Sequence, residues 1–137
     1  MKKSFRLFSF VRHYPLSCLF VAAIWVACFM DVPETPLDNV AFMDKWTHLA
    51  MYGSTCAIIY VEHMRHTGRS QGFALRMLWC WLLPVLMSGL IEILQATCTG
   101  GRRSGDWLDF AANSVGATLG AAIGILLARC LATGRRG

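Results

Sequence analysis

From Phe110 to Ala128 the chain carries no formally charged side chain, and these nineteen residues, wound as α-helix, come close to the roughly twenty needed to cross a hydrocarbon core of about 30 Å. Such a stretch is either a fully buried core helix or a membrane span, and the rest of the chain decides between them. Hydrophobic residues make up 55% of the 137 and charged residues only 15%, with a mean hydropathy of +0.47. That leaves too little polar surface to coat a soluble globule of this length. The sequence therefore predicts an integral membrane protein, with room for a single helical domain over residues 1–137.

Three further apolar segments accompany the first. Tyr14 to Met30 is uncharged and reads as a helix over 14–30, behind a basic lead carrying Lys2, Lys3, Arg6 and Arg12. A cleaved signal peptide is the rival reading, but no A-x-A site follows, and Trp25 stands where a lipoprotein-type cleavage before Cys28 would require a small aliphatic residue. After an acidic, proline-bearing connection from Asp31 to Asp44, a second helix is expected over 45–61, with Trp46 and Tyr60 placed for the two headgroup belts. Glu62 to Arg76 reads as a basic connection broken by Gly68 and Gly72. A third helix follows over 73–97, with a kink expected at Pro84, which lacks a backbone donor.

The fourth helix is expected over 109–128. Its Gly116, Gly120 and Gly124 repeat every fourth residue, the small-xxx-small pattern that lets two backbones approach closely. It should be the central packing helix, followed by a short basic disordered tail from Arg129. The expected fold is an all-α membrane protein, a four-helix transmembrane bundle.

Charge sets its orientation. Lys2, Lys3, Arg6, Arg12, Arg65, Arg69, Arg76, Arg129, Arg135 and Arg136 share one side with a single acid, Glu62. The other side holds Lys45, Arg102 and Arg103 with all seven remaining acids. By the positive-inside rule both termini are cytoplasmic. The basic balance is thus a topology signal, and no nucleic-acid motif accompanies it.

Polar residues cluster at the outward ends of the segments. Asp44, His48 and Tyr52 are spaced four apart on one helical face, with Lys45 beside them. Glu92 and Gln95 are i, i+3 neighbours, and Asp109 and Asn113 share the face that carries the glycines. Between these helices the Gly-rich loop contributes Arg102, Arg103 and Asp106. Polar groups in hydrocarbon are costly enough that such convergence predicts a shared polar pocket.

The ordered set Asp44-Lys45-x-x-His48-x-x-x-Tyr52, Glu92-x-x-Gln95 and Arg103-x-x-Asp106-x-x-Asp109-x-x-x-Asn113-x-x-Gly116 resembles the VanZ-like family of small bacterial membrane proteins. The resemblance runs from about Asp44 to Gly120. The chain departs from it in the polar run Gly53, Ser54, Thr55 and in a loop without proline, where spacing favours Arg103 over Arg102 for the family's arginine. The family is named for a member linked to low-level teicoplanin resistance, so the resemblance implies the bacterial envelope and names no reaction.

Each candidate has two readings. His48 with Asp44 is either a general base and its orienter or a buried hydrogen-bonded pair. Glu92 and Arg103 either neutralise one another at helix ends, or serve as a catalytic carboxylate and a phosphate anchor. Lys45, Tyr52, Gln95, Asp106, Asp109 and Asn113 are candidate substrate-binding residues, although an intramembrane Asn such as Asn113 often only bridges helices. No cofactor is called for, and no metal site, since His63 and His66 fall on the opposite side. The six cysteines lack paired spacing and read as small buried hydrophobes; Cys28 and Cys98 lie outward.

Three functional classes follow. The first is a non-enzymatic envelope protein affecting how glycopeptides reach lipid-linked wall precursors. The second is a membrane-embedded enzyme or binder for a lipid-linked anionic substrate at the outer leaflet. The third, a proton-coupled transporter, fits least, because four short helices without a repeat offer little alternating-access machinery. Expected partners are membrane lipid and a lipid-linked wall precursor.

Overall fold

The computed structural model describes residues 9–30, 42–68, 70–101 and 104–134, and among these the regular structure is entirely helical. Four helices follow in order: α1, Pro15–Phe29; α2, Met43–Thr67; α3, Phe73–Cys98; and α4, Trp107–Gly134. Arg102 and Arg103, the acidic connection from Asp31 to Ala41, and the basic residues Lys2, Lys3, Arg6, Arg69, Arg135 and Arg136 lie outside the described residues. α3 and α4 are each long and apolar enough to cross a membrane, with a mean hydropathy of 1.9. α1 is apolar but shorter. Leu86, Leu90 and Ile93 on α3 and Val115, Leu119, Ile123 and Leu126 on α4 face outward as exposed apolar side chains. This is the surface expected where the solvent is lipid.

A short helical lead at residues 9–13 breaks at Tyr14, and α1 restarts at Pro15, where the first helical turn has no use for the missing N–H. The next two amides are orphans of the helix end, and Glu62 of α2 takes both. Leu16 N donates to Glu62 Oε1 at 3.1 Å and Ser17 N to Oε2 at 2.9 Å, while the Ser17 hydroxyl donates to Oε2 at 2.6 Å. A carboxylate there also meets the positive end of the α1 dipole.

α2 therefore does not stop at Glu62, as the sequence reading had it. It continues to Thr67 and ends at Gly68, whose φ of +60° suits a residue without Cβ. Charge marked where the apolar run ends, whereas the helix ends where the backbone turns. The connection to α3 is correspondingly short. Within α3 the turn Leu78–Leu82 is a π-bulge, in which Leu83 N reaches back to Leu78 O. It lies immediately before Pro84, where a local irregularity was expected.

α4 begins at Trp107, two residues earlier than predicted, because Asp106 caps it. Asp106 Oδ1 accepts from Leu108 N at 2.8 Å, and Asp106 O accepts from the amides of Asp109 and Phe110. At its other end α4 continues through Arg129 to Gly134, so residues 129–134 are helical and not a disordered tail.

The most extensive helix contact is α2 against α4. Here the small-residue repeat acts as expected. A Cβ placed on Gly116 would lie 2.3 Å from Leu49 O, and one on Gly120 would lie 2.0 Å from Gly53 O. Only glycine permits this approach. α1 and α3 complete the core around Ile24, Cys28, Tyr52 and Ile91, with Trp25, Phe29, Met51 and Met87 packed on it. Trp79 is exposed, whereas Trp81 is half-buried and its indole N–H donates to Thr118 Oγ1 at 3.0 Å, so Trp81 is a helix bridge as well as a surface residue. Among the described residues no disulfide joins two cysteines; Cys28, Cys56 and Cys80 are buried, whereas Cys98 and Cys130 are exposed.

Candidate functional site

The close α2–α4 crossing brings the start of one helix against the start of the other. One turn before the glycine contacts, Asp44, Lys45 and His48 of α2 meet Asp109 and Asn113 of α4, with Asp106 from the preceding loop. Lys45 is the hub. Its ammonium donates to Asp44 Oδ2 at 3.2 Å, to Asp106 Oδ2 at 2.7 Å, and to Asp109 Oδ1. The Lys45 side chain is 23% exposed and that of Asp109 13%, so this is a partly desolvated ion cluster. The hydrogen bond from Lys45 holds the Asp106 carboxyl below the usual carboxylate range, aided by the Leu108 amide.

His48 lies just beneath. Its Nδ1 is 3.0 Å from Asn113 Oδ1, while Asn113 Nδ2 donates to Ser88 Oγ on α3 at 2.8 Å. Because the Asn113 amide nitrogen is committed to Ser88, its oxygen faces His48, and neutral His48 carries its hydrogen on Nδ1. Nε2 is then a basic lone pair. It lies 3.6 Å from Asp44 Oδ1 and 3.7 Å from Asp109 Oδ2, beyond hydrogen-bond length from either.

Asp44, His48 and Asp109 also place one donor atom each within 4.8 Å of one another, a spacing that suits one divalent cation. From the sequence this set reads as too thin for a metal site, because the further histidines His63 and His66 fall on the opposite side. The Lys45 ammonium lies on two of the same carboxylates, so in this arrangement a resident cation already neutralises them.

Glu92 joins the cluster through the backbone. Its Oε2 accepts from Asp106 N at 2.9 Å, and a Cβ on Gly105 would stand 2.4 Å from Glu92 O, so the loop lies directly on α3. Glu92 is 7% exposed and its other oxygen, Oε1, is buried without a hydrogen-bond partner among the described residues. Arg103, the partner expected for it, lies outside those residues.

Two expected site residues face elsewhere. Gln95 donates to Cys28 O at 2.8 Å, tying α3 to α1. Tyr52 is fully buried one turn below His48, within the core cluster and beside Ser88. Both are core residues, because on a helix the face that carries the cluster continues inward into packing. Conversely, Ser88 had not been singled out, although it precedes Glu92 by four and Gln95 by seven on one face. Glu62 and His63 were also missed. His63 Nδ1 lies 3.2 Å from Tyr14 OH, and its Nε2 meets Gln71 Oε1, so this opposite end of α2 has a polar network of its own.

Described residues that are helical throughout their regular structure, two helices long and apolar enough to cross a bilayer, and a half-buried histidine–carboxylate–lysine cluster where the starts of α2 and α4 meet together define a membrane-protein class. A family model matches residues 4–129, and the chain belongs to the VanZ/LLP1 family. No curated protein and no solved structure matches it.

Proposed function

We propose that this VanZ/LLP1 protein is a four-span protein of the bacterial cytoplasmic membrane, with both termini in the cytoplasm and the Lys45 cluster outward. There it engages the headgroup of a lipid-linked wall precursor and so changes how glycopeptides reach that precursor. The observation that carries this reading is the acceptor-rich character of the cluster. Three carboxylates surround one ammonium, and Glu92 adds a buried carboxylate oxygen without a donor among the described residues.

Such a site matches the hydroxyl and amide N–H donors of a glycan or peptide headgroup. It does not favour Lys45 as the phosphate ligand, because three carboxylates already hold that ammonium. A phosphate would fall to Arg103, whose planar fork suits it. The second reading, an enzyme acting on the same lipid-linked anion, is favoured by His48, whose Nε2 is oriented through Asn113 and Ser88 to take a proton.

Purified protein examined for co-bound lipid tests the binding reading: a wall-precursor lipid is expected, and bulk phospholipid alone would overturn it. Glycopeptide susceptibility with His48→Ala and Glu92→Gln at normal protein levels separates the two readings, since survival of the effect removes the enzyme. An extracytoplasmic signal from a reporter fused in the Gly68 loop would sink the topology.

A further inference from the structure

At the end of α2 remote from Lys45, a cavity of about 520 Å³ opens between α2, the start of α3 and the end of α4. Its volume falls within the roughly 300–1,000 Å³ typical of small-ligand sites. Its lining has two characters. Arg76 and Arg129 supply two guanidinium groups beside the Tyr60 hydroxyl, and Met64, Phe73 and Ile125 supply an apolar wall. Among the described residues no carboxylate lines it, and Glu62, the one acid in the second half of α2, is committed to the amides of α1.

Arg76 is braced but not used up. Its Nη2 donates to Gln71 O at 2.7 Å and Nη1 lies 3.5 Å from Tyr60 OH, whereas the buried Nε has no partner among the described residues. Arg129 on α4 is exposed. Arg76 stands three residues into α3 and Arg129 five residues before the end of α4, two helices that are long and apolar enough to cross a membrane. The two cations therefore sit at one end of an antiparallel pair, at the depth where arginine side chains meet headgroups.

We propose that this cavity binds an anionic phospholipid, its phosphate between Arg76 and Arg129 and the upper part of an acyl chain along Phe73, Met64 and Ile125. Charge complementarity selects an anion, and the apolar wall selects one that carries a hydrocarbon chain. The site is separate from the Lys45 cluster and does not depend on the function assigned to it.

The test uses full-length protein in a neutral detergent, titrated with phosphatidylglycerol, phosphatidylcholine or inorganic phosphate, with lipid retention read by native mass spectrometry and thermal stability read in parallel. Phosphatidylglycerol is expected to be retained and to stabilise, and the other two are not. Each arginine removed should weaken retention about fivefold, as expected for roughly 1 kcal/mol per cation near a membrane surface. Arg129→Gln is the first variant, because Arg129 is exposed and its loss leaves the bracing of Arg76 intact. Ala128→Phe, which fills the cavity from α4 while keeping both charges, should abolish retention. Equal retention of phosphatidylcholine, equal stabilisation by inorganic phosphate, or parental retention in both variants would each overturn the proposal.

Discussion

Replacing Gly120 by alanine perturbs the structure at its tightest point. An ideal Cβ there would lie 2.0 Å from Gly53 O, 2.8 Å from Gly53 C and 2.9 Å from Gly53 Cα. All three atoms are backbone, so no side chain can rotate away, and α4 must withdraw from α2 by more than 1 Å to restore ordinary contact. A radial gap of 0.5–1 Å already forfeits a quarter to a half of each dispersion contact. The loss spreads along the most extensive helix contact in the molecule, and the overpacking itself costs about 1–3 kcal/mol. Against this stands a gain of about 1 kcal/mol for alanine over glycine within a helix. Overpacking less this gain leaves up to about 2 kcal/mol and the lost dispersion contacts add to it, so a net loss is expected, read as a lowered midpoint in thermal or denaturant unfolding of the detergent-solubilised protein. The order of effects is more discriminating than any single value. Gly116→Ala, at 2.3 Å from Leu49 O, should match Gly120→Ala; Gly124→Ala, which first meets the Tyr60 Cβ at 2.7 Å, should cost less; and Gly53→Ala, at 3.3 Å from Gly116 O, should cost least. Parental stability of Gly120→Ala, or the reverse order, would refute the crossing.

Lys45→Met leaves Asp106 and Asp109 without their shared cation, so a lowered unfolding midpoint is expected, and adding Asp109→Asn should restore part of that loss in a double-mutant cycle. Asn113→Ala removes the link between His48 and Ser88 and leaves both groups short of a partner, so unfolding should show a loss of about 1–3 kcal/mol. Because Lys45 lowers the Asp106 pKa in the folded state, that interaction stabilises the fold above the ordinary carboxylate pKa of about 4 and is lost as pH falls through the lower folded value. A stability-against-pH curve for Asp106→Asn should therefore be flatter than the parent's below about pH 4, and an unchanged curve there counts against the contact. Glu62→Gln keeps the shape at the start of α1 but loses the charge and one acceptor, so a measurable drop in unfolding midpoint is expected, with the Lys45 cluster unaffected.

Much of this was legible from the residues because the relevant signals are local and periodic. The i, i+4 spacing of Asp44 and His48, and of Asp109 and Asn113, placed those side chains on helix faces, and the glycine repeat identified the packing face of α4, though not α2 as its partner. What escaped depends on backbone geometry and on distant partners. Glu62 looked like the end of a span because an acid interrupts an apolar run; only the orphan amides of Leu16 and Ser17, 46 and 45 positions earlier, make it an interior residue. Tyr52 lies on the predicted face but one turn deeper than His48, and Gln95, in the last turn of α3, is turned toward α1; periodicity fixes which residues share a face better than what that face meets. Asp106 was read as a ligand, and its second task of starting α4 depends on a loop whose path the sequence does not state.

The contacts made by α1 have a consequence for its register. At Ser17 the helix is tied to α2 through Glu62, and at Cys28, eleven residues later, its carbonyl is tied to α3 through Gln95. The two ties lie about 16 Å apart along the axis at 1.5 Å per residue, and they bind the helix to different neighbours. Neither sliding nor rolling satisfies both at once. Deleting a single residue between them would turn one tie by about 100° relative to the other and shift it by about 1.5 Å, so one of the two must break. Side chains along this segment can vary, but its length cannot, and α1 acts as a spacer of fixed length between the Glu62 turn of α2 and the last turn of α3.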